Sequence, residues 1–367
     1  MLSAVPAIYL FAKKRLDPTT ALLFVVGFLL YPSLLRTVAF DFHEVAFAIP
    51  LIAWSIYFIE EKHWRSYAVA VFLLLMVKEN MGMVVVFIGV YLLLKRYYRY
   101  AIATAIAGIS WFFIATKVLI PYFAGPGKVF NYWTYDSFGP NLPTALLSIV
   151  KNPTSFFVTL TTPFIKVVTF VKTFGITLGL GFFSPIIVIA IPTLLERFLS
   201  TNQEYWKFNH HYGGIIAPVA IMATIDALHR INRSRTITKI STKNVSLLAG
   251  VVIVLLSFTM FAVSPYPETV GIGRYSLDQD EQAGYTTLRV LADSAHICTT
   301  HHIAPHLGKH ELTLIGDPGD SGELSCEYIV MSTKLDQSNE LTQDLDLAFK
   351  DGFKLTDKNM SWRVYKR

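Results

Sequence analysis

The sequence predicts a polytopic α-helical membrane protein carrying a small soluble α/β domain at its C-terminus. Three observations predict it. Of 367 residues, 53% are hydrophobic and only 16% charged, against roughly 25% charged in an ordinary soluble domain. Apolar runs recur from the N-terminus to about Phe261 and then stop. The charge divides at the same place: residues 1–267 carry 22 Lys+Arg against 10 Asp+Glu, a net of +12, and residues 268–367 carry 10 against 16, a net of −6. The pI near 9.1 therefore sums a basic membrane part and an acidic soluble part, and is not a nucleic-acid signal. The expected domains are 1–265, in the membrane, and 266–367, extracytoplasmic.

About ten apolar segments follow in order, at 1–12, 20–35, 45–59, 66–77, 81–94, 101–120, 167–183, 186–199, 214–228 and 245–263. The first is too short to span, since a crossing needs about 20 residues. It is followed by Lys13-Lys14-Arg15, the reverse of the order in a signal peptide, and reads as the second half of a helix. Further basic clusters follow alternate segments: Lys62 with Arg65, then Lys95-Arg96-Arg99, then Arg230, Arg233, Arg235, Lys239 and Lys243. The positive-inside rule puts all four in the cytoplasm. Arg36–Glu44, Lys78–Asn80, 121–166, Leu199–Tyr212 and the tail then lie outside.

The rule decides how 66–94 folds. Both flanks are basic, so the number of crossings is even and the stretch is a hairpin with Lys78-Glu79-Asn80 at its outer turn. Gly82 is expected to ease the bend. Each arm has about 12–14 residues, roughly 20 Å of helix, so the turn should lie below the outer surface. Phe182-Phe183-Ser184-Pro185 is the expected cytoplasmic turn between 167–183 and 186–199, although it carries no charge. Within 121–166, Pro140, Pro143, Pro153 and Pro163 separate amphipathic pieces at Leu142–Val150 and Ser155–Leu160, which read as interfacial helices on the outer leaflet. In the tail, strand-like runs at 295–300, 311–316, 326–332 and 361–365 alternate with helical patterns at 279–292 and 338–350.

The polar chemistry gathers in three outer groups. Asp41, His43 and Glu44 lie between two apolar segments. Lys78 and Glu79 occupy the hairpin turn, where ionisable groups are costly unless used, or serve there as a mutually neutralising pair. His210, His211 and Tyr212 precede an apolar run; adjacent histidines are a poor metal-ligand spacing, and interfacial anchoring explains them equally well. The tail histidines, His296, His301, His302, His306 and His310, carry no metal-site pattern and read as surface residues. Cys298 and Cys326 sit on neighbouring predicted strands, in a compartment that permits a disulfide.

Tyr31-Pro32, Phe40–Glu44, Val77-Lys78-Glu79, Ile120-Pro121, Ile191-Pro192 with Leu194-Leu195, His211-Tyr212 before Pro218, and Pro305-His306-Leu307 recur in an order that resembles the membrane-protein family catalogued as domain of unknown function 2079. That family looks related to the glycosyltransferase-C superfamily. The resemblance implies a glycosyltransferase-C-like helical fold and sugar transfer from a polyprenyl-phosphate donor at the outer membrane face. The bilayer and a polyprenyl-phosphate lipid would be its partners, the lipid-linked sugar its co-substrate, and a divalent metal a candidate cofactor. Enzymes of that superfamily place an acidic residue in their first outer loop. This chain begins within what corresponds to the second helix, so that loop is not among its residues.

Sugar transfer needs a carboxylate to take the acceptor's proton and a cation for the leaving phosphate. Asp41 or Glu44 is the candidate carboxylate, with His43 beside it in the substrate site. Lys78 is the candidate phosphate cation, oriented by Glu79. His211 and Tyr212 would line the cavity, and Tyr132, Trp133 and Tyr135 would stack on sugar faces. The alternatives are a membrane transporter, which would carry mid-membrane charges and internal repeats, and a non-catalytic scaffold presenting the tail.

Overall fold

The computed structural model describes residues 1–40, 43–124, 133–208, 211–233, 242–262, 277–291, 295–315, 326–336 and 339–367. It divides into two compact units, Met1–Thr269 and Val270–Arg367.

The first unit is helical. A short 3-10 turn leads into α1 (Val5–Lys13). The Asp17 carboxylate caps α2 (Pro18–Leu29) by accepting from Thr20 N at 3.2 Å, and Pro18 suits the first helical position. The expected 20–35 segment bends by 43° where α2 meets α3 (Pro32–Ala39). The cause is Tyr31-Pro32: proline supplies no N–H and keeps the preceding residue extended, and Tyr31 is (φ −63°, ψ 120°). Its buried side chain donates to the Thr173 carbonyl. Then come α4 (Ala48–Glu60), α5 (Trp64–Leu75), α6 (Met81–Leu94) and α7 (Tyr98–Ile114), the last continuing through a π-turn into α8 (Ile120–Ala124).

Lys78, Glu79 and Asn80 do lie in the turn between α5 and α6. Gly82, however, does not ease a bend. It lies inside α6, where a Cβ would come within 2.7 Å of the Gly108 carbonyl oxygen on α7. Gly89, two turns on, likewise faces Ala101 and Ala105. These residues let two backbones approach as small residues do between membrane helices.

The interfacial pieces form α9 (Leu142–Lys151) and α10 (Pro153–Thr161), capped by Asn141 and Asn152. Leu142, Leu146, Leu147 and Val150 make an exposed apolar stripe on α9, as a helix lying in a membrane interface requires. After α11 (Ile165–Phe174) the expected helix over 167–183 fails. Leu178 and Gly179 take φ of 54° and 65°, and 3-10 turns occupy Gly175–Thr177, Leu180–Phe183 and Pro185–Ala190. Three glycines and Pro185 account for the break. α12 (Ile191–Leu199), α13 (Gln203–Trp206), the largely buried α14 (Ile216–Arg233) and α15 (Thr242–Ala262) complete the unit.

Among the described residues three helices are long and apolar enough to cross a membrane: Tyr98–Phe123, His211–Arg233 and Asn244–Ala262. Counting each bent pair as one span makes five, so ten segments are not ten full-length spans. Ile102, Ile106, Ile109 and Phe113 on α7, and Leu248, Val251, Leu255 and Phe258 on α15, turn apolar stripes outward, the pattern lipid contact selects.

At the end where α4 and α6 finish, the basic clusters meet two buried carboxylates. Glu60 binds Arg15 Nη2 at 2.6 Å, Lys95 Nζ at 2.9 Å and the Tyr91 hydroxyl. Asp226 on α14 binds Arg230 Nε and Ser184 Oγ, each at 2.6 Å, and faces Arg15 Nε at 3.9 Å. Ser184, from the expected charge-free turn, therefore shares an end with Arg15, Lys95 and Arg230.

The second unit is a mixed five-stranded sheet of order β2-β1-β3-β5-β4. Its strands are β1 (His296–Thr299), β2 (Glu311–Leu314), β3 (Tyr328–Ser332), β4 (Lys354–Asn359) and β5 (Trp362–Lys366). β1 pairs in parallel with β2 and β3, and β5 pairs antiparallel with β3 and β4. Helix α16 (Gln279–Arg289) starts with a reciprocal cap between Asp278 and Glu281; α17 is Asn339–Lys350. Trp362 Nε1 donates to the Asp280 carbonyl at 2.9 Å, tying β5 to α16. Cys298 and Cys326 are disulfide-bonded.

Candidate functional site

The opposite end of the helical unit gathers the three polar groups that the sequence separates. The turn at Glu44 leads into α4 and on to Glu60, the turn at Asn80 leads into α6 and on to Lys95, and the span containing α14 runs from His211 to Arg233. Each thus places its first-named residue away from the basic clusters. The α5–α6 turn brings Lys78 Nζ to Glu44 Oε1 at 2.7 Å, with side chains 34% and 44% exposed. The alternative of a mutually neutralising Lys78–Glu79 pair gives way to this one: Glu79 shares the turn, but the ammonium goes to Glu44. Burial raises the Glu44 carboxyl, yet the hydrogen bond and charge of Lys78, with His43 nearby, outweigh it and hold the group below the usual carboxylate range.

Beside this pair runs a chain of rings. His43 and His211 lie 4.1 Å apart, Phe40 is 4.5 Å from His211, Tyr212 is 4.2 Å from His211, and Tyr205 is 4.8 Å from Tyr212. The Thr37 hydroxyl lies within hydrogen-bonding distance of the carbonyls of Ser33 (2.9 Å) and His211 (3.0 Å) and shares its one proton between them, fixing α3 against the turn before α14.

Asn80 connects the hairpin to α12 by donating from Nδ2 to Glu196 Oε1 at 2.8 Å. Tyr135 donates to the Glu196 backbone carbonyl at 3.4 Å, and burial raises its hydroxyl's pKa. Trp133 packs on Tyr135 with ring centroids 5.1 Å apart and donates to the Gly139 carbonyl at 2.7 Å. Arg197 is 3% exposed. Its Nε donates to the Tyr205 carbonyl at 2.9 Å and its Nη2 to the Lys207 carbonyl at 3.2 Å. Lys166, fully buried, donates to the carbonyls of Thr159 and Phe198, both at 2.7 Å, and sits 4.3 Å from the centre of the Trp206 ring.

Of the sequence candidates, Glu44, His43, Lys78, Glu79, His211, Tyr212, Trp133 and Tyr135 come to this end. Asp41, Tyr132 and His210 lie outside the described residues. Sequence reasoning missed Glu196, Arg197 and Lys166. Their signal was visible: ionisable residues set in or beside apolar runs are functional candidates by default. Among the described residues no group of three or more His, Cys, Asp or Glu side chains is placed to hold a metal ion. In the second unit, His296 bonds Thr313 at 2.8 Å and His306 packs on Tyr285.

A family model described as "Predicted membrane protein (DUF2079)" matches residues 1–351. No curated protein and no solved structure matches the chain.

Proposed function

Since the chain belongs to the family of predicted membrane proteins described as DUF2079, we propose that it is a glycosyltransferase-like membrane protein using a polyprenyl-phosphate-linked sugar. In this reading the Glu44–Lys78 end and the C-terminal domain face outward from the plasma membrane. One observation carries it: a carboxylate–ammonium pair stands beside a chain of aromatic rings at the end of the bundle opposite the basic clusters. The basic end belongs in the cytoplasm by the positive-inside rule.

The pair is partly exposed, so exchanging its partner costs little. A phosphate approaching Lys78 takes over the ammonium and releases Glu44. Without that cation the Glu44 carboxylate becomes more basic, which suits it to accept a proton. The acceptor's hydroxyl oxygen bonds to the anomeric carbon. The bond from that carbon to the phosphate oxygen breaks, and the phosphate leaves with the electron pair, stabilised by Lys78. The hydroxyl's proton passes to Glu44. His43, His211, Tyr212, Trp133 and Tyr135 supply ring faces and polar edges for the sugar, and Glu79 adds a carboxylate to the turn.

The test is binding of undecaprenyl phosphate to the purified chain in phosphatidylcholine nanodiscs. Lys78→Met should weaken binding about tenfold or more, the cost of one charge-assisted hydrogen bond, while Glu44→Gln should retain it by removing a competitor for Lys78. Equal binding by wild type and Lys78→Met would refute the assignment.

A further inference from the structure

The same end holds a buried cation, Arg197, that forms no ion pair among the described residues. Among the described residues no carboxylate lies within salt-bridge distance of Arg197. The neighbouring Glu196 is engaged by Asn80 instead. The guanidinium is nevertheless buried, and two of its nitrogens are spent on the backbone carbonyls of Tyr205 and Lys207. The third, Nη1, is buried with no hydrogen-bond partner. Ser33 on α3 is 1% exposed, and its hydroxyl is also buried without a partner. Both orphans border one point. A carbon added to Gly213 would sit 2.9 Å from Ser33 Oγ and 3.6 Å from Arg197 Nη1. Three segments distant in sequence thus bring two unused donors to one closely packed point, where even a Cβ on residue 213 would press on Ser33.

A buried charge without a counter-ion is costly, and so is a buried donor left unmade. A water molecule would satisfy the hydrogen bonds but not the charge. An anionic oxygen satisfies both, since Nη1 and a serine hydroxyl are donors and an anion's bonds to them are charge-assisted.

We propose that Arg197 Nη1 and Ser33 Oγ, brought together where Gly213 lacks a side chain, form an oxyanion subsite that takes a phosphate oxygen, from a lipid headgroup or from free phosphate. The inference rests on the reading of this end as phosphate-binding and adds to it the deeper contact. Lys78, already paired with Glu44, acts by exchange at a partly exposed position. Arg197 offers a nitrogen that is free from the start, held in place by its own bonds to the 205–207 backbone.

The test uses the full chain in phosphatidylcholine nanodiscs. Unfolding temperature is followed as sodium phosphate is added at constant ionic strength, and separately as phosphatidic acid is doped into the lipid. Wild type, Ser33→Ala, Gly213→Ala and Lys78→Met are compared, leaving Arg197 intact because its bonds organise the neighbouring loop. Ligand binding to the folded state raises the unfolding temperature by mass action. The subsite predicts a rise in the wild type, an apparent affinity about tenfold or more weaker in Ser33→Ala, and no response in Gly213→Ala. A response to phosphatidic acid alone identifies a lipid headgroup as the source, and a response to phosphate alone identifies the free ion. Unchanged responses in both Ser33→Ala and Gly213→Ala would overturn the subsite; loss in Lys78→Met alone would at the same time leave the Lys78 reading standing. No response in any protein, including the wild type, overturns both and leaves the orphans to water.

Discussion

Replacing Glu60 with glutamine should be among the most destabilising single changes in the helical unit. Its carboxylate, 7% exposed, receives Arg15, Lys95 and the Tyr91 hydroxyl, so it joins α1, α4 and α6 near one point. The amide keeps the size and loses the charge, leaving two cations facing a neutral group. Of its carboxylate partners among the described residues Arg15 then keeps Asp226, at 3.9 Å. Removing one member of a buried ion pair costs about 3–5 kcal/mol. The nearby Lys14–Glu61 pair is the internal control. Lys14 is 54% exposed, and solvent screening leaves an exposed pair contributing little. Reversible unfolding in mixed micelles, followed by tryptophan fluorescence, would give both values. Adding Lys95→Met to Glu60→Gln removes one stranded cation and should recover part of the loss. Glu60→Gln costing no more than Lys14→Gln would refute the reasoning that this cluster is buried and coupled.

Three further outcomes follow from the geometry. Glu44 has a depressed carboxyl, so its pairing with Lys78 contributes stability that is present above the unfolded value near ~4.3. That stability is lost as pH falls through the lower folded value; with both groups partly exposed it amounts to about 1 kcal/mol or less, and Glu44→Gln should remove it from the acid limb of a stability–pH curve. In the second unit, Cys298 and Cys326 close a loop with a sequence separation of 28, so Cys298→Ala with Cys326→Ala should cost about 3–4 kcal/mol by loop entropy, and denatured unreduced protein should show no free thiol. With those cysteines replaced, Ser137→Cys should react with a membrane-impermeant thiol reagent in intact cells and His63→Cys should not; the reverse pattern would invert the proposed topology.

Helix placement was largely legible where apolar runs end at charged residues, as at Glu60–Lys62 and Lys95–Arg96. The even number of basic flanks was enough to put Lys78 in a turn. It was not legible at 167–190, where hydropathy stays high but Gly175, Gly179, Gly181 and Pro185 break the backbone. A hydropathy pattern does not register such a break. β4 was missed for the opposite reason. Lys-Leu-Thr-Asp-Lys-Asn has no alternating apolar face because it is an edge strand, and edge strands carry charge.

The candidate site divides in the same way. Its residue types were readable, since ionisable groups beside apolar runs stand out. Their partners were not, because partnership depends on how helices pack. Lys78 has Glu79 next to it in the chain and Glu44 next to it in space. Arg197 stands out as a charge near the end of the 186–199 apolar segment, but only packing α3 and the Gly213 turn around it shows that one of its nitrogens is unspent.

The central claim is that a polyprenyl phosphate seats its headgroup at the Glu44–Lys78 end. A polyprenyl phosphate bearing a photoreactive group near the phosphate, cross-linked to the chain in nanodiscs and mapped by peptide mass spectrometry, tests that most directly. A headgroup seated there should leave adducts on peptides containing 43–47, 78–82 or 196–212, reduced by an excess of unlabelled lipid. Adducts confined to the Arg15, Glu60 and Arg230 end, or labelling indifferent to competitor, would contradict it.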